Sequence, residues 1–288
     1  MCTHCGCSNA NEIIVTNLQT GDHVHLHGDF DPDAPFPAHH HAHDHGPEAG
    51  HAHRHPPPPG EAPPAGRTIR IEQELLNRNA RLAERNRGWL AGRGVAAVNL
   101  MSSPGAGKTT LLEATLRSLG SELAFHVIEG DQATLRDAER IRAAGGRAVQ
   151  INTGTGCHLD AAMVAAALRQ LDPAAGGVVV IENVGNLVCP ALFDLGEHAR
   201  VVVASVTEGD DKPSKYPHMF RAANVVVLNK IDLLPHVAFD GEAFERRVRE
   251  LNPAVRLFRV SATGGAGMDE WRKWVKLGLR ENSSSSAQ

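Results

Sequence analysis

A chain of 288 residues with a formal net charge of −4 has room for one large α/β domain with appendages. It lacks the basic surplus that a nucleic-acid partner would call for. Its five cysteines are an odd number outside any small disulfide-dense module, so reduced thiols are expected. No charged n-region with an apolar stretch opens the chain, and no run approaches the roughly 18 apolar residues of a membrane span. A cytoplasmic protein with no membrane partner is therefore expected.

The chain opens on Cys2-Thr3-His4-Cys5-Gly6-Cys7. Three thiolates that close suit a soft or borderline ion such as nickel or zinc, with the terminal amine or His4 as fourth ligand. Eleven of the seventeen histidines then lie between His23 and His55. His39, His40, His41, His43, His45, His51, His53 and His55 form the dense part of this tract. Imidazole suits nickel, copper and zinc alike, so it reads as a site for several ions at moderate affinity. With few large apolar side chains, residues 1–66 are expected to be disordered without metal, apart from a short strand hinted at by Glu12–Val15. Pro56 to Pro64 form an extended spacer.

Order is expected to resume in residues 67–91. There Ile71, Leu75, Leu82 and Trp89 recur near helical spacing and predict an amphipathic helix from about Ile69 to Leu90. Strands are predicted at Ala96–Met101, Ala124–Glu129, Ala148–Asn152, Val178–Glu182, Val201–Val206, Val225–Asn229 and Leu257–Ser261. The helices between and after them are Lys108–Leu119, Ala133–Ala144, Asp160–Leu171, Tyr216–Ala223, Gly241–Glu250 and Met268–Leu279. Several strands are continuous β-branched runs, the signature of burial on both faces of a parallel sheet. Residues 92–280 thus read as a three-layer α/β domain with a mostly parallel sheet, and 281–288 as a frayed tail.

Ser102-Ser103-Pro104-Gly105-Ala106-Gly107-Lys108-Thr109 fits a phosphate-binding loop between a strand and a helix, so the three-layer α/β domain is expected to be of the P-loop NTPase kind. Backbone N–H groups around Gly105, Ala106 and Gly107, continuing to Thr110, would converge on phosphates at the helix N-terminus. Lys108 would reach the β/γ-phosphates, and the Thr109 hydroxyl would bind Mg²⁺. Ser102 stands where the pattern has its first glycine; a positive φ there would cost roughly 1 kcal/mol. Asn229-Lys230-Ile231-Asp232 follows a valine strand. Asp232 would accept from guanine N1–H and N2–H₂, which adenine cannot match. Lys230 would cover the base, Asn229 would tie the segment to the phosphate loop, and Ser261 with Ala262 would complete the base site. Asp131 and Glu182 end strands and are candidates to serve magnesium or the attacking water, alongside Lys108 as catalytic group. No obvious water-orienting glutamine precedes them, which predicts slow hydrolysis.

Cys157 and His158 follow the loop Thr153-Gly154-Thr155-Gly156, and Cys189 follows Glu182-Asn183-Val184-Gly185 on what is expected to be an adjacent strand end. Two thiolates and one imidazole make an incomplete metal set, which a twofold dimer could complete.

Together CTHCGC, the histidine-rich insert, SSPGAGKTTLL, VIEGDQAT, NTGTGCHLD, ENVGNLVCP, NKID and SAT, in this order, resemble the nickel-incorporation GTPases of nickel–iron hydrogenase maturation, the HypB type. The resemblance covers nearly the whole chain. It implies a GTPase that dimerises with GTP and cycles between GTP and GDP. It also implies delivery of Ni²⁺ to the hydrogenase large subunit, and a zinc-containing nickel-binding accessory protein as partner. By match, Cys2, Cys5 and Cys7 correspond to the family's tight nickel motif, and Cys157, His158 and Cys189 to its nickel/zinc site. Two rival readings remain: a non-enzymatic nickel store, and a urease-type nickel accessory GTPase.

Overall fold

The computed structural model describes residues 13–26, 65–131, 136–154 and 156–278. The thiol motif Cys2, Cys5, Cys7 and the tract His39–His55 lie outside the described residues. So do the spacer, the tail after Gly278 and the start of the helix expected from Ala133.

Among the described residues nine strands form one sheet: β1 (Ile13–Asn17), β2 (His23–Leu26), β3 (Ala96–Met101), β4 (Phe125–Asp131), β5 (Arg147–Asn152), β6 (Val178–Glu182), β7 (Ala199–Ser205), β8 (Val225–Asn229) and β9 (Arg256–Arg259). Their order is β2-β1-β5-β4-β6-β3-β7-β8-β9. The pairings from β5 to β9 are parallel, while β1 runs antiparallel to both β5 and β2. The helices are α1 (Ala65–Gly92), α2 (Lys108–Leu119), α3 (Arg136–Ala143), α4 (Ala161–Leu171), α5 (Lys212–Lys215), α6 (Pro217–Ala222), α7 (Gly241–Leu251) and α8 (Met268–Lys273). The last continues as a π turn over Trp274–Gly278.

The inner strand β3, between β6 and β7, is buried along all six residues. Ala96, Val98 and Leu100 join Leu111, Leu112, Leu116 and Trp271 in a cluster on one face. Ala97 joins Leu90, Val164 and Leu168 in a second cluster, and Met101 joins Phe220 and Phe244 in a third. The period of two thus sends alternate side chains into opposite helical layers, so the strand is apolar at every position but Asn99, whose buried amide is hydrogen-bonded.

Two expectations need correction. Residues 13–26 are a folded hairpin on the sheet edge, longer than the short strand at Glu12–Val15. Val15 is fully buried and lies opposite Val24 and Ile151. Because β1 is antiparallel to β5, Ile14 pairs with Asn152, and Ile13 pairs with Leu26. Both open ends of the hairpin therefore lie at the edge where the parallel strands end. The second correction concerns α1. Among its described side chains, those at residues 73–92, the buried positions are Asn79, Ala83, Asn86 and Leu90, whereas Leu75 is 47% exposed. Two asparagines share this buried face with Ala83, Leu90 and the half-buried Trp89, because their amides satisfy loop backbone: Asn79 donates to Asp194 O (2.7 Å), and Asn86 donates to Ala161 O and Leu195 O (2.8 and 3.0 Å).

Candidate functional site

At the carboxyl ends of β3, β4 and β6 a cleft of about 510 Å³ opens, the place where ligands bind in open α/β sheets. Pro104, Gly105, Gly107, Lys108, Thr109, Thr110, Glu129, Asp131, Glu182 and Lys230 line it. Gly107 has φ 96°, and a Cβ there would stand 2.6 Å from the Asn229 amide nitrogen, so only glycine fits. Ser102 does not adopt a positive φ, which removes the strain expected of it. Its hydroxyl instead accepts from Lys108 Nζ at 2.9 Å and donates to Ser103 O. Burial holds the Lys108 ammonium below its usual pKa despite the nearby Glu182 and Glu129 carboxyls.

Thr109 donates its hydroxyl to Glu182 Oε1 at 2.7 Å. The other oxygen, Glu182 Oε2, and Glu129 Oε2 are buried with no hydrogen-bond partner. Burial raises both carboxyls; Glu129, with Glu182 and Asp131 beside it, is pushed up to about 9. Buried unpaired carboxyl oxygens beside a threonine hydroxyl are the hard oxygen donors that Mg²⁺ prefers, so the residues fit that ion. Asp131 ends β4 at the cleft, as its place in the sequence predicts. The structure adds Glu129, two residues earlier and more deeply buried, together with Asp137 and Arg140 of α3. The alternation of β4 puts Glu129 and Asp131 on one face, and that signal favours neither over the other.

On the other side of the phosphate loop, Asn229 Nδ2 donates to Ala106 O (3.0 Å), and its Oδ1 accepts from Ala262 N (3.2 Å). Lys230, in the left-handed region at φ 62°, donates to Gly105 O at 2.8 Å. Asp232 is exposed one turn further on, and Ser261 is fully buried, with its hydroxyl accepting from Gly264 N. One asparagine thus joins the phosphate loop, the NKID segment and the SAT segment.

Cys157 and Cys189 are not joined in a disulfide; their sulfurs lie 2.9 Å apart, and Cys157 Sγ lies 3.5 Å from His158 Nδ1. One donor atom from each of the three lies within 4.8 Å of the others, a separation that suits one shared ion. Contrary to expectation, the strands leading to the two cysteines are not neighbours: β4 stands between β5 and β6. The loops close over its end, where Leu159 packs on Gly130 and the ring of His158 stacks on Phe193 at 4.0 Å. Burial lowers the pKa of His158 against the opposing pull of Asp160, which favours the neutral, ligating imidazole. Among the described residues no helix is long and apolar enough to cross a membrane.

Residues 96–259 match the CobW/HypB/UreG nucleotide-binding domain. The chain is 47% identical over 291 residues to the hydrogenase maturation factor HypB of Escherichia coli K12, covering 96% of this chain and 98% of that one. The crystal structure of HypB from Archaeoglobus fulgidus superposes with a TM-score of 0.67 at 41% identity, over 70% of this chain and 99% of that one. HypB from Helicobacter pylori, crystallised in complex with nickel, gives 0.67 at 37% identity, over 72% and 97%. With its nucleotide-binding domain matched and a relative aligned almost end to end, the chain belongs to the HypB hydrogenase maturation factors of the CobW/HypB/UreG family.

Proposed function

We propose that the protein is a GTP-hydrolysing nickel metallochaperone that hands Ni²⁺ to the large subunit of a nickel–iron hydrogenase. The observation that carries this reading is the shared sheet edge: the phosphate-loop cleft and the Cys157–His158–Cys189 donors are joined through Glu182 and its loop. The nickel-bound relative supports the choice of metal, with zinc as a competing occupant of the same thiolate–imidazole set.

In this reading Gly105, Ala106, Gly107 and Thr110 present backbone N–H groups to the phosphates, and Lys108 leaves Ser102 to contact the transferred phosphoryl group. Thr109, Glu182 and either Asp131 or Glu129 would hold Mg²⁺, which neutralises charge on the phosphate oxygens. Asp232 selects guanine, Lys230 covers the base, and Asn229, Ser261 and Ala262 shape its rim. GTP favours a homodimer in which two three-donor sets approach, and hydrolysis to GDP reopens it. A zinc-containing nickel-binding accessory protein and the hydrogenase large subunit are the partners, and Cys2, Cys5 and Cys7 with the histidine tract supply tight and reserve nickel sites. The cytoplasm is the compartment that keeps such thiols reduced.

The test is phosphate release from GTP and from ATP by the purified chain and by Lys108→Ala. GTP-selective turnover lost in Lys108→Ala supports the reading; no turnover above background favours a nickel store.

A further inference from the structure

A chain of buried polar groups runs beneath the metal donors and ends in the nucleotide cleft. Asn183, 1% exposed, follows Glu182 directly and lines the cleft itself. Its Oδ1 accepts from the backbone N–H of Leu159 (3.2 Å), the residue after His158, and from Val184 N (3.0 Å). Its Nδ2 donates to Asn99 Oδ1 (3.3 Å), and Asn99 Nδ2 donates to Glu197 Oε1 (3.4 Å). Glu197 Oε2 accepts from Leu195 N (2.7 Å), two residues beyond Phe193, whose ring lies on His158. Both loops that carry the metal donors therefore hang on one chain: the Cys157–His158 loop at Leu159, and the loop containing Cys189 at Leu195. Asn183 is its junction, and the peptide bond to Glu182 links it to Thr109.

We infer that Asn183 is a positioning residue that couples the nucleotide cleft to the metal donors, so that a change at Glu182 alters the spacing of His158 from Cys189. The inference rests on the nickel-chaperone reading and names its means of regulation. Asn183 suits this role because the amide accepts toward one loop and donates toward the other at once. Its hydrogen-bond partners are buried, so a small displacement cannot be absorbed by water. Leu159 adds a second contact, since its side chain packs against Gly130 within the Glu129-Gly130-Asp131 segment. Asn79 and Asn86 of α1 fix the outer side by holding Ala161, Asp194 and Leu195, so displacement is directed at the donors.

The experiment uses the full chain with Cys2, Cys5 and Cys7 replaced by Ala. Cys157 and Cys189 are then its only thiols, so thiolate-to-nickel charge-transfer absorption reads this site alone. Nickel affinity is measured with GDP and with a non-hydrolysable GTP analogue, in that background and after adding Asn183→Ala or Asn99→Ala. Asn99 does not line the cleft, so an effect there cannot come from direct nucleotide contact. The expected result is a ratio between nucleotide states of about 5–150-fold in the background, falling to within about twofold in either variant. A purely structural role would instead weaken nickel equally in both states and leave the ratio intact, which would overturn the inference. A background ratio of one would remove the nickel-chaperone coupling itself, and the role of Asn183 with it. Should Asn183→Ala fail to fold, the ratio measured in Asn99→Ala decides between these outcomes.

Discussion

The sulfurs of Cys157 and Cys189 lie 2.9 Å apart although the strands leading to them, β5 and β6, are separated by β4. The approach is made by two loops that fold over the end of β4, where Gly130 leaves room for Leu159. Removing either thiol leaves two donors, too few for tight binding of a borderline ion. Cys189→Ala is predicted to abolish the nickel charge-transfer band of the chain lacking Cys2, Cys5 and Cys7 while GTP binding stays within about threefold. Absorption titration with nickel, beside fluorescence titration with a labelled nucleotide, checks both halves.

Base selection is predicted to reside in Asp232, which stands exposed after the Lys230 turn and has the carboxylate that guanine requires. Asp232→Asn should weaken GTP at least tenfold and raise the affinity for xanthosine triphosphate, because the amide can donate to the carbonyl that replaces the N2 amine. Competition binding with GTP, XTP and ATP measures this. Equal binding of ATP and GTP by the unmutated protein would remove the guanine assignment.

The linear motifs are legible in the sequence because their chemistry is contiguous. The phosphate loop, NKID and the strands Ala96–Met101, Val178–Glu182 and Val225–Asn229 have the residues their patterns predict. What stays hidden depends on partners far along the chain. Asn79 and Asn86 look like polar interruptions of a helix until the loops at Ala161 and Asp194–Leu195 are seen against them. The hairpin of β1 and β2 is obscured by the histidines around it, although Ile13, Val15, Val24 and Leu26 turn inward on one side. Ser102 reads as a defect by comparison with glycine and proves to be a hydrogen-bond partner of Lys108.

Those buried asparagines predict a stability effect. Asn86→Ala would leave the carbonyls of Ala161 and Leu195 without their donor, at a cost of roughly 1–3 kcal/mol. In a chain of this size each kcal/mol lowers the Tm by about 2–4 °C. Calorimetry on the nucleotide-free protein checks it, and an unchanged Tm would show that water satisfies both carbonyls.

Glu129 predicts a pH dependence. Its carboxyl is raised from 4.5 to about 9 in the fold, chiefly by burial, with the nearby Glu182 adding to the shift. The folded state therefore holds a proton that the unfolded state gives up. The favourable contribution is complete below pH 4.5 and is lost progressively as pH rises toward 9. Glu129→Gln, which cannot ionise, should flatten the decline in Tm across this window and leave the variant more stable than its parent at about pH 8 without magnesium or nucleotide. Thermal denaturation at intervals from about pH 5 to pH 9 gives the comparison. Parallel curves for the two proteins would mean that Glu129 is hydrated and titrates normally.

Control of one metal site by one nucleotide switch is tested most directly from the nucleotide side. Coupling between two binding sites is reciprocal, so nickel must change the affinity for a non-hydrolysable GTP analogue relative to GDP by the factor with which nucleotide changes nickel affinity. The measurement is the GTP-analogue and GDP affinity of the chain lacking Cys2, Cys5 and Cys7, with and without saturating nickel. Their ratio is predicted to change by about 5–150-fold, and Cys189→Ala to abolish the change. Identical ratios with and without nickel would show that the metal site and the nucleotide cleft are not coupled.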